Sequence, residues 1–141
     1  MWRGPAPAQP YNPGRVDWPD WYLIWDYCFG FSTNWGVHHL DIANWGCPSV
    51  GEEAFTVECK ATYRNKGLTD NVESWFATFE YASGLKMVFS DDFQQKVGCR
   101  FIGDEGWVHV DRAGLWAEPE SLLKIALKPG DVRLTESDHH Q

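Results

Sequence analysis

Residues Trp25–Gly46 read WDYCFGFSTNWGVHHLDIANWG, and the fold turns on how this stretch is parsed. Ser32, Thr33 and Asn34 are three successive candidates for an N-cap, because a hydroxyl or amide oxygen accepts from the free N–H groups of a first helical turn. Gly46, with Pro48 just beyond it, is a stop signal. The spacing therefore predicts a loop, a helix from about Trp35 to Trp45, and an abrupt end. On that helix Asn34, His38 and Asp41 fall on one stripe and Trp35, His39 and Ile42 on the adjacent one, since residues three and four apart are neighbours. Amide, imidazole and carboxylate on one stripe form a set able to move a proton. Imidazole titrates near neutral pH, and its neighbours fix which ring nitrogen carries the hydrogen.

Downstream the period changes from helical to two. In AFTVECKATY, Ala54 to Tyr63, the residues Phe55, Val57, Cys59, Ala61 and Tyr63 alternate with Thr56, Glu58, Lys60 and Thr62, the pattern of a half-buried strand. Arg64 to Gly67 is a turn. Val72 to Tyr81 resumes the alternation with Trp75, Ala77, Phe79 and Tyr81 on one face, and Ala82-Ser83-Gly84 folds the chain back into Leu85, Met87 and Phe89. A second hairpin, Arg100–Ile102 with Trp107–Val110, turns about Gly103-Asp104-Glu105-Gly106, and a short strand follows near Leu115–Ala117. Hairpin connections make antiparallel neighbours, so the expected class is α+β: a mainly antiparallel open sheet with the helix packed on one face. Glu120 to Leu127 predicts two helical turns ended by Lys128-Pro129-Gly130-Asp131.

Upstream, residues 1–24 carry Pro5, Pro7, Pro10, Pro13 and Pro19, too many for a helix or a central strand, and read as an extended arm attached to a single domain over 25–141. With Trp2, Tyr11, Trp18 and Trp21 the arm gains little by staying in water, so it is expected to pack on the domain or on a partner. Its rings suit a sugar-stacking wall with Arg15 as a hydroxyl clamp; covering an interface is the plainer use. The chain has 141 residues and a formal net charge of -8, the wrong sign for a surface that tracks phosphates, so nucleic acid is not an expected partner. No apolar run approaches the roughly 18 residues that span a bilayer. Cys28, Cys47, Cys59 and Cys99 have no C-x-x-C spacing and read as buried thiols of a reduced protein.

The pattern Thr33-Asn34-Trp35-Gly36-Val37-His38-His39-Leu40-Asp41-Ile42-Ala43 resembles the core helix in the C-terminal domain of Gfo/Idh/MocA-type oxidoreductases, the glucose-fructose oxidoreductase and inositol dehydrogenase superfamily. Gly98-Cys99-Arg100-Phe101-Ile102-Gly103-Asp104-Glu105-Gly106-Trp107-Val108 resembles that domain's strand–turn–strand signature, and Trp2-Arg3-Gly4-Pro5-Ala6-Pro7 with Pro10-Tyr11 resembles the lead-in of the bacterial type. Three motifs in order spread the likeness over nearly the whole chain. The family's N-terminal half, with its Rossmann nucleotide fold and its lysine, is not matched. By resemblance, then, the chain is the substrate-binding and oligomerisation half of an NAD- or NADP-dependent enzyme acting on a sugar, cyclitol or related polyol, inactive without the other half and binding no cofactor alone. The resemblance also implies a homo-oligomer formed through the open sheet face. Localisation stays open between the cytoplasm and, with a leader ahead of the missing half, export.

The resemblance places His38 where the family's histidine contacts the reacting hydroxyl and acts as its base. Asn34 stands where many members carry an aspartate, and an amide can neither take a proton nor stabilise an imidazolium by charge. The candidate site is therefore His38 and Asn34 for catalysis, with Trp35, Asp41, Trp25, Arg15 and Tyr11 for substrate. Asp41 can pair with His38 at a spacing of three or, as its plainer use, cap a loop. A metal at His38 and Asp41, completed by His39, His109, His139 or His140, is disfavoured because His38 and His39 point roughly 100 degrees apart on a helix. A different class stays in play: a non-catalytic carbohydrate-binding or scaffold protein that keeps the fold and its aromatic wall.

Overall fold

A computed structural model describes residues 4–65, 67–92 and 96–131. The chain divides into two compact units, Met1–Cys99 and Arg100–Gln141. In the first, helix α1 runs Phe31–Gly46 and a single turn, α2, Ser49–Glu52; strands β1 (Phe55–Tyr63), β2 (Val72–Tyr81) and β3 (Lys86–Ser90) form an antiparallel sheet in that order. In the second, β4 (Cys99–Gly103), β5 (Gly106–Asp111) and β6 (Gly114–Glu118) form another. The antiparallel α+β architecture expected from the sequence is present, with the strands divided between two sheets rather than joined in one.

The alternation in sequence sets the register. Phe55 lies opposite Tyr81, Val57 opposite Phe79 and Cys59 opposite Ala77, while Ala77 faces Phe89 and Phe79 faces Met87 across the next pair. These residues share one face because side chains alternate along a strand. Helix α1 packs on that face through Gly36, where an added Cβ would lie 2.6 Å from the Phe89 ring, and Gly36 and Ala43 are the buried helix positions. Phe89 is itself backed by Trp75, with ring centroids 5.5 Å apart. The helix covers only part of the sheet: Ala77 and Tyr81 of β2 are buried, but all nine residues of β1 are exposed. The half-buried strand expected at 54–63 is thus solvent-facing on both sides, because no element of the described chain lies over it.

Helix α1 starts a turn earlier than the cap residues suggested. Gly30, at φ 75°, is the N-cap, and Ser32 and Thr33 lie inside the first turn, their hydroxyls donating back to the carbonyls of Phe29 and Gly30 at 3.4 Å. A positive φ is open to glycine at little cost, and Gly30 also abuts Asn71, whose Cγ lies 3.3 Å from where a Cβ would sit. The backbone of Gly30, not a polar side chain, therefore sets the helix start. At the other end the Cys47 N–H still reaches the Ala43 carbonyl at 2.9 Å before Pro48 opens α2.

The N-terminal arm is not simply extended. It contains two 3-10 turns, Pro13–Arg15 and Asp20–Leu23, and prolines are accommodated at the start of each, where no N–H is required. Its end is anchored: Tyr22, Leu23 and Ile24 are buried. Trp18 sits 5.2 Å from the Tyr22 ring and Tyr22 4.7 Å from Phe31, so an aromatic cluster joins the arm to the first turn of α1. The arm packs on the domain, one of the two sites expected for it.

In the second unit His109 on β5 is 2% exposed, opposite Trp116 of β6, with its ring 5.7 Å from the indole. Arg100 lies over the Trp107 ring at 4.9 Å. The segment after β6 makes one short 3-10 helix, Glu120–Lys124, where two turns to Leu127 were expected; Ile125 is already extended at φ -66°, ψ 122°. The Asp138–Gln141 segment lies outside the described residues. Of the four cysteines, all free, Cys59 is exposed and the other three are half-buried, so the expectation of buried thiols fails, most clearly on the uncovered strand. Among the described residues no helix is long and apolar enough to cross a membrane.

Candidate functional site

The loop between the arm and α1 is held by two neighbouring side chains from the turn into β2. The Asp70 carboxylate accepts from the Trp25 N–H at 2.8 Å, and both Asp70 and Asn71 donate their backbone N–H groups to the Leu23 carbonyl, at 3.1 and 3.2 Å. Asn71 is wholly buried. Its Nδ2 donates to the Cys28 carbonyl at 2.6 Å and its Oδ1 accepts from the Val72 N–H at 2.7 Å. An amide buried with donor and acceptor both engaged fixes two backbone segments at once. Tyr27 and Cys28 each donate to the Ile24 carbonyl, closing the loop on itself.

This clamped loop is one wall of an open cleft of about 390 Å³, formed by residues 25–29 with Thr33 and Asn34 of the first helical turn. Trp25 and Phe29 make an edge-to-face pair with centroids 4.9 Å apart, and each is about half exposed, at 52% and 53%. An exposed aromatic pair beside polar groups suits a sugar ring, which has apolar C–H faces and hydroxyl edges. Behind the wall the Tyr22 hydroxyl is buried with no hydrogen bond among the described residues. Burial first, then the nearby Cys28, raises its pKa above the ordinary tyrosine value, so it stays neutral.

The cleft thus brings together two of the sequence-derived site residues, Trp25 and Asn34. His38 lies one turn further along the same helix face and, like Asn34 and Asp41, is exposed, so the polar stripe faces outward from its unit. Its ring stands 6.2 Å from that of Trp35, edge-on, and Trp35 is 42% exposed. Neither His38, Trp35 nor Asp41 lines the cleft, and among the described residues no side-chain hydrogen bond joins Asn34 to His38. Arg15 closes the first 3-10 turn of the arm and Tyr11 is 83% exposed; neither lines the cleft. Sequence reading missed Phe29, Cys28 and the Asp70-Asn71 clamp. A pair of polar residues directly before an alternating strand was the one signal for the clamp, and nothing in the sequence pairs it with a loop more than forty residues away. Among the described residues no group of three or more His, Cys, Asp or Glu side chains is placed to hold a metal ion.

Residues 1–125 match the family described as "Oxidoreductase family, C-terminal alpha/beta domain" within the Gfo/Idh/MocA group. No curated protein and no solved structure matches the chain. A family match that runs from the arm through both sheets and takes in the histidine helix is decisive: the chain belongs to the Gfo/Idh/MocA oxidoreductase family, as its C-terminal alpha/beta domain.

Proposed function

We propose that this domain binds a sugar, cyclitol or related polyol for an NAD(P)-dependent oxidoreductase, with the polyol seated against Trp25 and Phe29 and its reacting carbinol toward His38. The observation that carries the reading is the aromatic cleft ending at Asn34, one helical turn from the exposed His38. NAD or NADP, held by a separate Rossmann domain, would supply the hydride acceptor. The residues of this chain have the remaining tasks. The indole and phenyl faces take up the C–H faces of the ring and exclude water from them. Asn34, at the mouth of the cleft, can accept from one hydroxyl and donate to another. His38, exposed on the same helix face, takes the hydroxyl proton as general base. Asp41, on the same exposed stripe, can accept a hydrogen bond from a further hydroxyl of the substrate. Assembly through the sheet face that α1 leaves open belongs to the same reading.

The test joins this domain to its nucleotide-binding half. His38→Ala should lower turnover by about two to four powers of ten with the melting temperature nearly unchanged, as for an exposed general base. Asn34→Asp should raise turnover near neutral pH, because a carboxylate beside the imidazole stabilises its protonated form. Polyol binding, read by tryptophan fluorescence, with no turnover by the joined protein would instead favour a non-catalytic carbohydrate-binding protein.

A further inference from the structure

Strand β1 is an outer strand of its sheet, and among the described residues nothing pairs with its free edge. The direction of its unpaired groups follows from its neighbours. The Ala82 N–H donates to the Ala54 carbonyl at 3.3 Å and, beyond the bulge at Thr62 and Tyr63, the Arg64 N–H donates to the Asn71 carbonyl at 3.0 Å. Antiparallel partners alternate between bonded and non-bonded pairs. The residues of β1 bonded to β2 are therefore Thr56, Glu58, Lys60 and Thr62. The N–H and C=O groups of Phe55, Val57, Cys59, Ala61 and Tyr63 point out to the open edge.

The sequence of this edge, FTVECKATY, is nearly symmetrical about Cys59: Glu58 against Lys60, Val57 against Ala61, Thr56 against Thr62, Phe55 against Tyr63. We infer that β1 pairs antiparallel with β1 of a second copy of this chain, about a two-fold axis at Cys59. In that register every outward-pointing residue meets an outward-pointing partner, so the whole edge is satisfied. The intervening pairs are non-bonded, the kind in which side chains approach most closely. There Glu58 of each copy meets Lys60 of the other, and the same operation supplies both contacts. Faces match as well: the stripe from Phe55 to Tyr63 continues on the apolar face that α1 covers elsewhere, and the two sheets become one of double width. Charged side chains on an edge strand usually prevent pairing. Here their order reverses that effect, because a two-fold axis between Glu58 and Lys60 sets unlike charges opposite one another. Within one copy the two already lie 3.8 Å apart, with side chains 80% and 83% exposed and free to turn to a partner. This contact is separate from the open sheet face and does not depend on the oxidoreductase reading.

The test is the mass of the chain by sedimentation at tens of micromolar, with four forms compared. The unaltered chain should be a dimer or a larger even assembly. Lys60→Glu sets Glu against Glu twice and should weaken the association by roughly ten- to a hundredfold. Combining it with Glu58→Lys restores unlike pairs and should restore the mass. Val57→Pro removes one outward N–H while leaving every bond to β2, so it should halve the mass with an unchanged circular dichroism spectrum. A monomeric unaltered chain overturns the inference. So does an assembly that Lys60→Glu and Val57→Pro leave intact, which would place the contact on the open face alone.

Discussion

Removing the Asn71 amide would strand the Cys28 carbonyl and the Val72 N–H, both now bonded to one buried side chain at 2.6 and 2.7 Å. Asn71→Ala should therefore lower unfolding free energy by about 2–3 kcal/mol in chemical denaturation, and it should weaken polyol binding at the cleft, since the stranded carbonyl belongs to that wall. Retained stability together with retained binding would show that the clamp is dispensable. At this scale the sequence was partly legible. Helical spacing was enough to place Asn34, His38 and Asp41 on one exposed stripe, because side-chain direction on a helix is fixed by geometry alone. The role of Asn71 was hidden, because it depends on a tertiary approach between segments that carry no mutual signal. The same is true of Phe29, an ordinary aromatic in an aromatic-rich run until the loop turns it toward Trp25.

Among elements, the β5–β6 hairpin has its own acid sensitivity. The Asp111 carboxylate accepts from the Ala113 N–H at 2.6 Å and the Gly114 N–H at 3.2 Å, and its Oδ2 lies 3.5 Å from His109 Nε2. The Ala113 bond is the largest cause holding its pKa below the usual aspartate value; partial burial opposes it, and the nearby His109 ring and the Gly114 bond reinforce it. A depressed folded-state pKa means stability that is fully present above the unfolded carboxyl value and lost as pH falls through the folded one. The second unit should thus lose thermal stability as pH drops below about 4, and Asp111→Asn, which keeps an acceptor for Ala113 without titrating, should flatten that slope. Equal slopes in both proteins would dissociate the turn from the acid response. Strands and hairpins were the most legible elements, since alternation with Ser-Gly or Asp-Glu-Gly turns marks them directly. The start of α1 was not, because Gly30 reaches its φ of 75° in a context that sequence cannot see, and a serine, threonine and asparagine in succession imitate a cap. Exposure of β1 escaped the same reading: period two shows that a strand has two unlike faces, not that something covers either.

For the whole molecule, the family match over residues 1–125 and the absence of a glycine-rich strand–turn–helix in the sequence lead to one expectation about cofactor. Titrating the chain with NAD or NADP in a calorimeter should give no saturable heat at micromolar concentration; binding at that level would locate a nucleotide site in this domain. Class and strand count were legible here, while the division into two units was not, because one run of hairpins reads the same whether its strands join one sheet or two. The seam between Leu23–Cys28 and Asp70-Asn71 has one more consequence. Its bonds join residues 45 and 43 positions apart, and the interval encloses α1, α2 and β1. Closing a loop costs entropy that rises only with the logarithm of its length, so lengthening the turn between β1 and β2 by a few residues would add a small fraction of a kcal/mol at most. The segment around Gly67 is thus the place where this fold can accept inserted sequence, a tag or a reporter, while the cleft on the far side of the seam keeps its shape.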